Sequence, residues 1–209
     1  MLNTVVVKAL FGDYDNWIDP DPNLINKDWD YHLFTDQDIT SDIYTVHKTL
    51  HHPKIERKIK IMPWNYLRGY DRYIWIDANI HPIQLELDIN TEADILLLEH
   101  PARDCVYDEL KACVRLHKDD PRIMTDQVAE YYSQGYPPNN GMVQTGFMVR
   151  KPTDEIIYFS EDWYFEVENK SRRDQLSFNY IAWKYSEKLN YETIPMDTFN
   201  QYYTITKHK

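Results

Sequence analysis

The sequence is poor in glycine and cysteine, and it contains no long apolar run. Only five of its 209 residues are glycine, and no internal repeat or low-complexity segment divides the chain. A flexible linker between separate domains is therefore not expected. Because 43% of the residues are hydrophobic, we predict one compact domain over residues 1–209, with a surface tail.

Positive charge is also scarce. The chain has 23 lysines and arginines against 34 aspartates and glutamates, which gives a formal net charge of -11. This balance opposes any broad affinity for nucleic acid or for an anionic membrane surface. An anionic ligand must then be held by a local cluster of cations or by a metal ion.

No segment reaches the roughly 18 apolar residues of a membrane span, and "MLNTVVVKALFG" lacks the basic start of a signal peptide. We therefore expect no membrane insertion and a soluble, cytoplasmic protein. Cys105 and Cys113 lie eight residues apart in one predicted helix, which separates them by roughly 12 Å. That distance is too long for a disulfide, so both are expected to be reduced core thiols.

Short apolar runs bounded by polar residues predict strands, and helical spacing of apolar residues predicts helices between them. Their alternation favours an α/β three-layer domain with a largely parallel sheet, in which ligands collect at the carboxyl ends of the strands. Asp104 is the expected N-cap of the first well-defined helix. The predicted strands are 4–11, 31–36, 72–80, 93–100 and 145–151, and the predicted helices are 104–118 and 174–189, with weaker patterns at 41–66 and 119–134.

The stretch "RYIWIDANI", residues 72–80, ends an apolar strand with two polar side chains. In an extended segment, residues two apart point the same way, so Asp77 and Asn79 would project together. Two hard oxygen ligands suit Mg²⁺ or Mn²⁺ better than zinc. On spacing alone, a turn that ends the strand explains the same residues equally well.

A basic segment precedes this strand. Arg57 and Lys60 are three residues apart and would share one helical face, where they could clamp a diphosphate. Taken alone, the segment is as well explained by a solvated helix face. Its cations are Lys54, Arg57, Lys58, Lys60, Arg68 and Arg72.

Three further features each have two readings. Asp174 in "SRRDQLSF" could favour a helix N-terminus or face a cleft, and the local pattern prefers the capping role. The "PPNNG" loop before the strand at 145–151 offers amides for sugar hydroxyl groups, or is a plain turn. His100 and His208 are ordinary surface histidines by default, and His208 could reach a metal only if the tail folds back.

Taken in order, these pieces resemble nucleotide-sugar-dependent glycosyltransferases of the GT-A type, over nearly the entire chain. The likeness is strongest to the N-terminal glycosyltransferase domain of chlorella-virus proteins that glycosylate the major capsid protein. A plant and bacterial family of glycosyltransferase-like proteins shares the "IWIDANI" and "RDQLSF" blocks. The resemblance rests on "VVVKALFGDYD", "FTDQ", "RKIKIMPWNYLRGYDRYIWIDANI", "EHPARDCVYDELKA", "NNGMVQTGFMVRK" and "RRDQLSFNYIAWK".

The resemblance implies a GT-A (Rossmann-like) fold cut from a longer protein, with a nucleotide-sugar-binding half at about 1–100 and an acceptor half at about 101–209. It implies transfer of a hexose or deoxyhexose from a UDP-sugar, with Mn²⁺ or Mg²⁺ and with retention favoured. The acceptor would be a glycan or glycoprotein, such as a viral capsid glycan, and a viral protein would act in the host cytoplasm. It implies no nucleic-acid partner and sets no oligomeric state.

The resemblance also assigns a metal site. Asp77 and Asn79 occupy the two acidic positions of the D-x-D motif, and His208 is the third protein ligand. Position 79 departs from the motif, because a carboxamide keeps an oxygen ligand but lacks its charge. Weaker metal binding at the same place is therefore expected.

The other implied roles fall into three groups. Residues at the first two strand ends would surround uridine, others would contact the nucleotide sugar, and a third set would serve catalysis and the acceptor. These groups are, in order, Ala9, Leu10, Phe11, Asp13 and Asp36; Arg57, Lys60, Asp77 and Ala78; and Asp174, His100, Arg103 and Asp104.

Two other functions are alternatives to glycosyl transfer. Phosphotransferases with a D-x-D-x-T/V motif use the first aspartate as nucleophile, but Asn79 and His81 both depart from that pattern. A non-catalytic carbohydrate-binding or nucleotide-sugar-binding module is the second rival, for which 17 tyrosines and six tryptophans supply stacking surfaces. Turnover separates this module from an enzyme, since both would bind UDP.

Overall fold

Nine strands and six helices are present in the computed structural model, which describes residues 2–13, 15–85 and 87–207. Seven strands form one sheet, in the order β3-β2-β1-β4-β7-β6-β8, and β5 pairs with β9. The strands are β1 (Thr4–Leu10), β2 (Asp30–Thr35), β3 (Thr45–Lys48), β4 (Arg72–Ile76), β5 (Ile80–Pro82), β6 (Ile95–Glu99), β7 (Val143–Arg150), β8 (Tyr191–Ile194) and β9 (Tyr203–Ile205). The helices are α1 (Ile55–Ile61), α2 (Val106–Arg115), α3 (Pro121–Ser133), α4 (Asp154–Asn169), α5 (Asp174–Lys184) and α6 (Met196–Phe199).

The large sheet is mostly parallel. Strand β7 runs antiparallel to both of its neighbours, β4 and β6, while the other pairings in the sheet are parallel. The α/β class with a mostly parallel central sheet is thus confirmed. Strands β2 and β3 lie on one side of β1 and β4 lies on the other, so the strand order reverses between β1 and β4, which is where such sheets form a binding crevice.

The two faces of the sheet are covered differently. Alternate residues of β1 point to opposite faces, with Val5 and Val7 in one core cluster and Val6 and Leu10 in the other. Helices α1 to α5 pack on the first face. The second face is covered mainly by irregular segments with Trp17 and by the four-residue α6. A three-layer arrangement was predicted. The layer on the first face is helical, whereas the layer on the second face is mainly irregular.

The predicted elements are largely present, with one clear error. The prediction of a helix over 41–66 is wrong in its first part, since residues 45–48 form β3, which pairs with β2. Residues 45–48 are extended because they pair with β2, and their sequence has no periodic pattern that predicts a strand. The run 72–80 is also interrupted, because a turn separates β4 from β5. Elements α4, α6, β8 and β9 were not predicted.

Two smaller predictions concern the start of α2. The helix begins one residue later than expected, so its N-cap is Cys105 and Asp104 is an exposed residue before it. The expected Asp104 cap is therefore wrong. Cys105 and Cys113 are both free and buried, as predicted. In the described part of the chain, no helix is both long enough and apolar enough to cross a membrane.

Candidate functional site

A cleft of about 530 Å³ lies where the strand order reverses, at the carboxyl ends of β1 and β4. It combines residues from both strand ends with cations from α1 and from the loops before α3 and α5. Several of the predicted nucleotide-binding and metal-binding residues therefore share one cavity. Its lining comprises Ala9, Leu10, Phe11, Gly12, Asp13, Asp15, His51, Glu56, Arg57, Trp75, Asp77, Ala78, Asn79, Lys118, Arg172 and Arg173.

Asp77 and Asn79 line the cleft from a turn. Strand β4 ends at Ile76, and the amide of Ile80 donates to the carbonyl oxygen of Asp77 at 3.0 Å, which closes a four-residue turn. The extended geometry expected for this pair is wrong, although both residues still reach the same cavity. A turn that ends the strand and a ligand site are therefore compatible interpretations of Asp77 and Asn79.

The carboxylate of Asp77 is oriented by two donors. The indole Nε1 of Trp75 donates to Oδ1 at 2.7 Å, and Nζ of Lys60 lies 3.4 Å from the same oxygen. Trp75 lies near the end of β4 and precedes Asp77 by only two residues, so the first contact is local in the chain. The Asp77 side chain keeps 34% of its surface exposed. It is therefore fixed at one oxygen and still open to a ligand.

A glycine in β7 makes room for this carboxylate. The amide of Asp77 donates to the carbonyl oxygen of Gly146 at 2.8 Å, and a Cβ atom on Gly146 would lie 3.2 Å from Asp77 Oδ2 and 3.1 Å from Cδ1 of Ile80. The register between β6 and β7 also shifts here, because Leu97 pairs with Met148 and Leu98 with Gln144. Such bulges re-aim backbone and side chains beside functional sites. Sequence reasoning did not identify Gly146.

Beneath the cleft, Lys60 joins two carboxylates. Its Nζ atom lies 2.8 Å from Oδ2 of Asp174, and the hydroxyl of Thr145 donates to the same Asp174 oxygen at 2.8 Å. Lys60 and Asp174 are almost fully buried, with side chains 2% and 4% exposed. We predicted that Lys60 faces the cavity. It instead lies beneath the cavity and holds Asp77 and Asp174.

Asp174 is the first residue of α5, but its carboxylate is not the helix cap. The N-cap is Arg173, and the Asp174 carboxylate is bound to Lys60 and Thr145 and lies 3.6 Å from Nε of Arg57. The predicted position of Asp174 at a helix N-terminus is confirmed, but the capping role preferred from the local pattern is wrong. Burial opposes ionisation of this carboxyl group, but Lys60 and Arg57 outweigh burial and hold its pKa well below the usual range. Asp174 is an ionised, buried anion.

The cations on the cleft rim come from three segments. Arg57 Nε donates to the carbonyl oxygen of Arg172 at 3.2 Å, which ties α1 to the loop before α5. That loop is held in turn by Asp119, whose Oδ2 accepts from the hydroxyl of Ser171 at 2.7 Å and from the amide of Arg172 at 2.8 Å. The rim cations are Arg57, Lys118, Arg172 and Arg173.

The basic segment 54–72 contributes less than expected. Of its cations, Arg57 alone is on the rim. Lys54 instead donates to the carbonyl oxygens of Glu168 and Lys170 at the end of α4. Sequence reasoning missed the arginine pair before Asp174, although two adjacent arginines in an acidic chain were a usable signal.

The end of β1 and the loop after it form another wall of the cleft. The amide of Gly12 donates to Asp36 Oδ1 at 2.9 Å, and Gly12 has a φ of 64°, which favours glycine. The ring of Phe11 stacks on His51 with centroids 5.6 Å apart. Asp36 thus shapes the loop that carries Phe11 and Asp13.

The carboxyl-terminal segment folds back onto the turn. Nδ2 of Asn79 donates to the carbonyl oxygen of Thr206 at 2.7 Å, and the Thr206 amide donates to the carbonyl oxygen of Asn79 at 2.9 Å. The tail therefore reaches the proposed metal position by residue 206. His208 lies outside the described residues.

His100, Arg103 and Asp104 lie elsewhere. Nδ1 of the buried His100 accepts from the amides of Ala102 and Arg103, and the Arg103 guanidinium pairs with Glu109. Burial lowers the pKa of His100, against the raising effect of Glu109. None of the three lines the cleft as the described residues define it. Their acceptor role remains a prediction.

The donors in the cleft fit a hard cation. Asp77 and Asn79 offer a carboxylate and a carboxamide oxygen, which are magnesium and manganese ligands, and diphosphate oxygens would complete such a shell. Among the residues that the structure describes, no group of three histidine, cysteine, aspartate or glutamate side chains could hold a metal by itself. Any ion here would therefore depend on the nucleotide or on the undescribed tail.

Comparison with known families adds one match. The sequence model of the family described as "TOD1/MUCI70, glycosyltransferase-like domain" matches residues 66–208. This region contains the turn at Asp77, the glycine at 146 and Asp174, and it covers more than half of the chain. No curated protein matches the sequence, so the likeness to chlorella-virus domains stays a prediction.

Proposed function

This chain belongs to the TOD1/MUCI70 family of glycosyltransferase-like domains, and on that premise we propose that it transfers a hexose or deoxyhexose from a UDP-sugar and has a GT-A type fold. The observation that carries the proposal is the cleft at the reversal of strand order. It brings the carboxylate of Asp77 into the same cavity as the rim cations of Arg57, Lys118, Arg172 and Arg173. Open α/β sheets bind nucleotides at this position.

We place uridine against the end of β1. There Phe11 and His51 form a stacked aromatic pair, and Asp36 holds the loop at Gly12. The diphosphate would lie between the turn at Asp77 and the rim cations. Since the chain has a net charge of -11, this cluster is the local attraction that a dianionic ligand requires.

We propose that Mn²⁺ or Mg²⁺ is held by Asp77 and Asn79, with His208 as a further ligand. The return of the tail to Asn79 by residue 206 supports this assignment. When bound, the ion would act as a Lewis acid that neutralises the charge developing on the departing UDP. Trp75 and Lys60 would orient Asp77 throughout, and the carboxamide at position 79 is expected to weaken metal affinity.

Asp174 supports a retaining transfer. A general base for an inverting reaction works best with a pKa near the operating pH. Asp174 is instead held well below that range by Lys60 and Arg57, against the opposing effect of burial. Asp174 is also paired with Lys60 beneath the cleft, so it holds the lysine that orients Asp77. We therefore assign Asp174 to positioning.

The acceptor side is proposed from the resemblance. It would be a glycan or glycoprotein, of which a viral capsid glycan is one case, with His100, Arg103 and Asp104 on the acceptor side. The network of His100, Arg103 and Glu109 would then act as a rigid support at the end of β6.

The decisive experiment is a panel of UDP-sugars incubated with the protein and Mn²⁺, with released UDP as the readout and UDP binding measured by calorimetry. We expect release from at least one sugar and its loss in Asp77→Ala. UDP binding without release or transfer from any donor, also with glycan acceptors present, would favour the binding-module alternative. Absence of UDP binding would overturn the proposed site. The matched control is Arg122→Gln, since Arg122 is exposed and does not line the cleft.

A further inference from the structure

A second cavity, of about 740 Å³, lies on the other face of the sheet. Its floor is made by β1, β4 and β7, through Val6, Ile74 and Phe147, and its cover is made by residues 20–29 and 82–90, excluding residue 86. The cavity size is in the range of small-molecule sites. The proposed function does not use this cavity.

A buried lysine forms part of the cavity floor. Lys8 follows Val6 on the same side of β1, lines the cavity and is 3% exposed. Its Nζ atom donates to the carbonyl oxygen of Ile80 at 2.6 Å. An ammonium group has three donors, and this carbonyl is a neutral partner. Burying a cation without a directly paired anion is costly, so Lys8 would be stabilised by an anion that enters the cavity.

The state of Lys8 agrees with this geometry. Burial lowers its pKa to about 7, although the negative charge of Asp77 acts in the opposite direction. A carboxylate bound beside Nζ would favour the charged form.

The walls and rim have the chemistry of a carbohydrate site. Aromatic side chains line the walls, of which Trp29 and Tyr203 are partly exposed and could contact a sugar ring, and amides at the exposed rim can both donate to and accept from hydroxyl groups. Apart from Lys8, the lining carries Lys27 and Arg72 against Asp28 and Asp88, which balance, so the anion preference arises at Lys8. The aromatic residues are Trp29, Tyr31, Tyr44, Phe147 and Tyr203, and the amides are Asn23, Asn26, Gln84 and Asn90.

We propose that this cavity is a second binding site, separate from the nucleotide cleft, for a sugar acid: a polyhydroxylated ring that carries a carboxylate. The carboxylate pairs with Lys8 and the hydroxyl groups contact the amide rim. The two cavities share no lining residue, so both ligands can be bound at the same time. Lys8 nevertheless touches Ile80, the last residue of the turn that carries Asp77 and Asn79.

The test is calorimetry with D-glucuronate as the probe and D-glucose as its neutral counterpart, at pH 6.5. We expect glucuronate to bind at least tenfold more tightly than glucose. Lys8→Met, which keeps the length of the side chain, should remove that difference. Saturating UDP should not displace glucuronate. Equal binding of the two sugars, or unchanged glucuronate binding in Lys8→Met, would overturn the proposal.

A rim variant keeps the test independent of the buried position. Gln84 is exposed at the mouth of the cavity, so Gln84→Trp should raise the Kd for glucuronate at least tenfold and leave the Kd for UDP unchanged. This variant decides the matter if Lys8→Met does not fold, and unaltered glucuronate binding in it would count against the site. Displacement of glucuronate by UDP would place the anion in the nucleotide cleft instead. The outcome is separate from that of the UDP-sugar assay.

Discussion

Nζ of Lys60 lies 2.8 Å from Oδ2 of Asp174, and both side chains are almost fully buried. This ion pair connects α1 to the start of α5 under the cleft. The same ammonium group lies 3.4 Å from Asp77 Oδ1. Lys60 therefore links the buried anion to the carboxylate that lines the cleft.

The first prediction concerns the stability of this pair. Lys60→Met and Asp174→Asn should each lower the free energy of unfolding by about 3–5 kcal/mol, because each leaves a buried charge without its partner. The double variant should lose less than the sum of the two. Urea denaturation of the four proteins measures the coupling. Strict additivity would show that the two charges do not stabilise each other.

The second prediction concerns Gly146. A Cβ atom there would lie 3.2 Å from Asp77 Oδ2 and 3.1 Å from Ile80 Cδ1, so Gly146→Ala should shift the turn and cost about 1–3 kcal/mol of stability. Mn²⁺-dependent UDP affinity should fall with it. Gly146→Ser, which is larger, should be worse in both measurements. Wild-type UDP affinity in both variants would mean that the turn adapts freely.

The third prediction concerns the rim cations. Arg172→Gln, Arg173→Gln and Lys118→Gln should each weaken UDP binding by about 1 kcal/mol, roughly fivefold in Kd, since such partly solvated contacts are modest. The loss should shrink as salt is added. Arg122→Gln, on the exposed surface of α3, is the control with the same charge change. If Arg122→Gln weakened UDP binding equally, the losses would be due to the change in net charge and not to the position of the cations on the cleft rim.

The fourth prediction concerns the metal ligands. Asp77→Ala should abolish Mn²⁺-dependent UDP binding while the domain stays folded, because the nearest carboxylate of the turn is lost. Asn79→Asp should strengthen Mn²⁺ binding, since it adds one negative charge at a ligand position. Calorimetry with and without Mn²⁺ measures both. If Asn79→Asp leaves metal affinity unaltered, residue 79 is not a ligand.

The fifth prediction concerns pH and Lys8. Burial lowers the pKa of Lys8 from 10.5 to about 7, so between these values the unfolded chain binds a proton that the folded chain does not. The contribution of Lys8 to the free energy of unfolding therefore rises with pH through this window, by at most about 1.4 kcal/mol per pH unit. Urea denaturation at pH 7.5 and 9.5 should show a smaller rise in Lys8→Met than in the wild type. Parallel pH dependences would indicate that Lys8 titrates normally.

Much of the architecture could be predicted from local pattern. The apolar runs that became β1, β2, β4, β6 and β7 are recognisable because strands buried on both faces are continuously hydrophobic. Helices α2, α3 and α5 were likewise predicted from their spacing. The edge strand β3 was not, because its short polar sequence is extended only through pairing with β2.

The sequence by itself determined the α/β class, the reduced cysteines and the position of the aspartate–asparagine turn, since these depend on composition and on contacts between near neighbours. The tertiary structure decided what surrounds that turn. Lys60 and Gly146 are far from Asp77 in the chain and contact it only because α1 and the bulge in β7 converge there, and Asp174 of α5 joins this group through Lys60. No local pattern records such long-range contacts, which is why a residue expected to cap a helix proved to be the buried partner of a lysine.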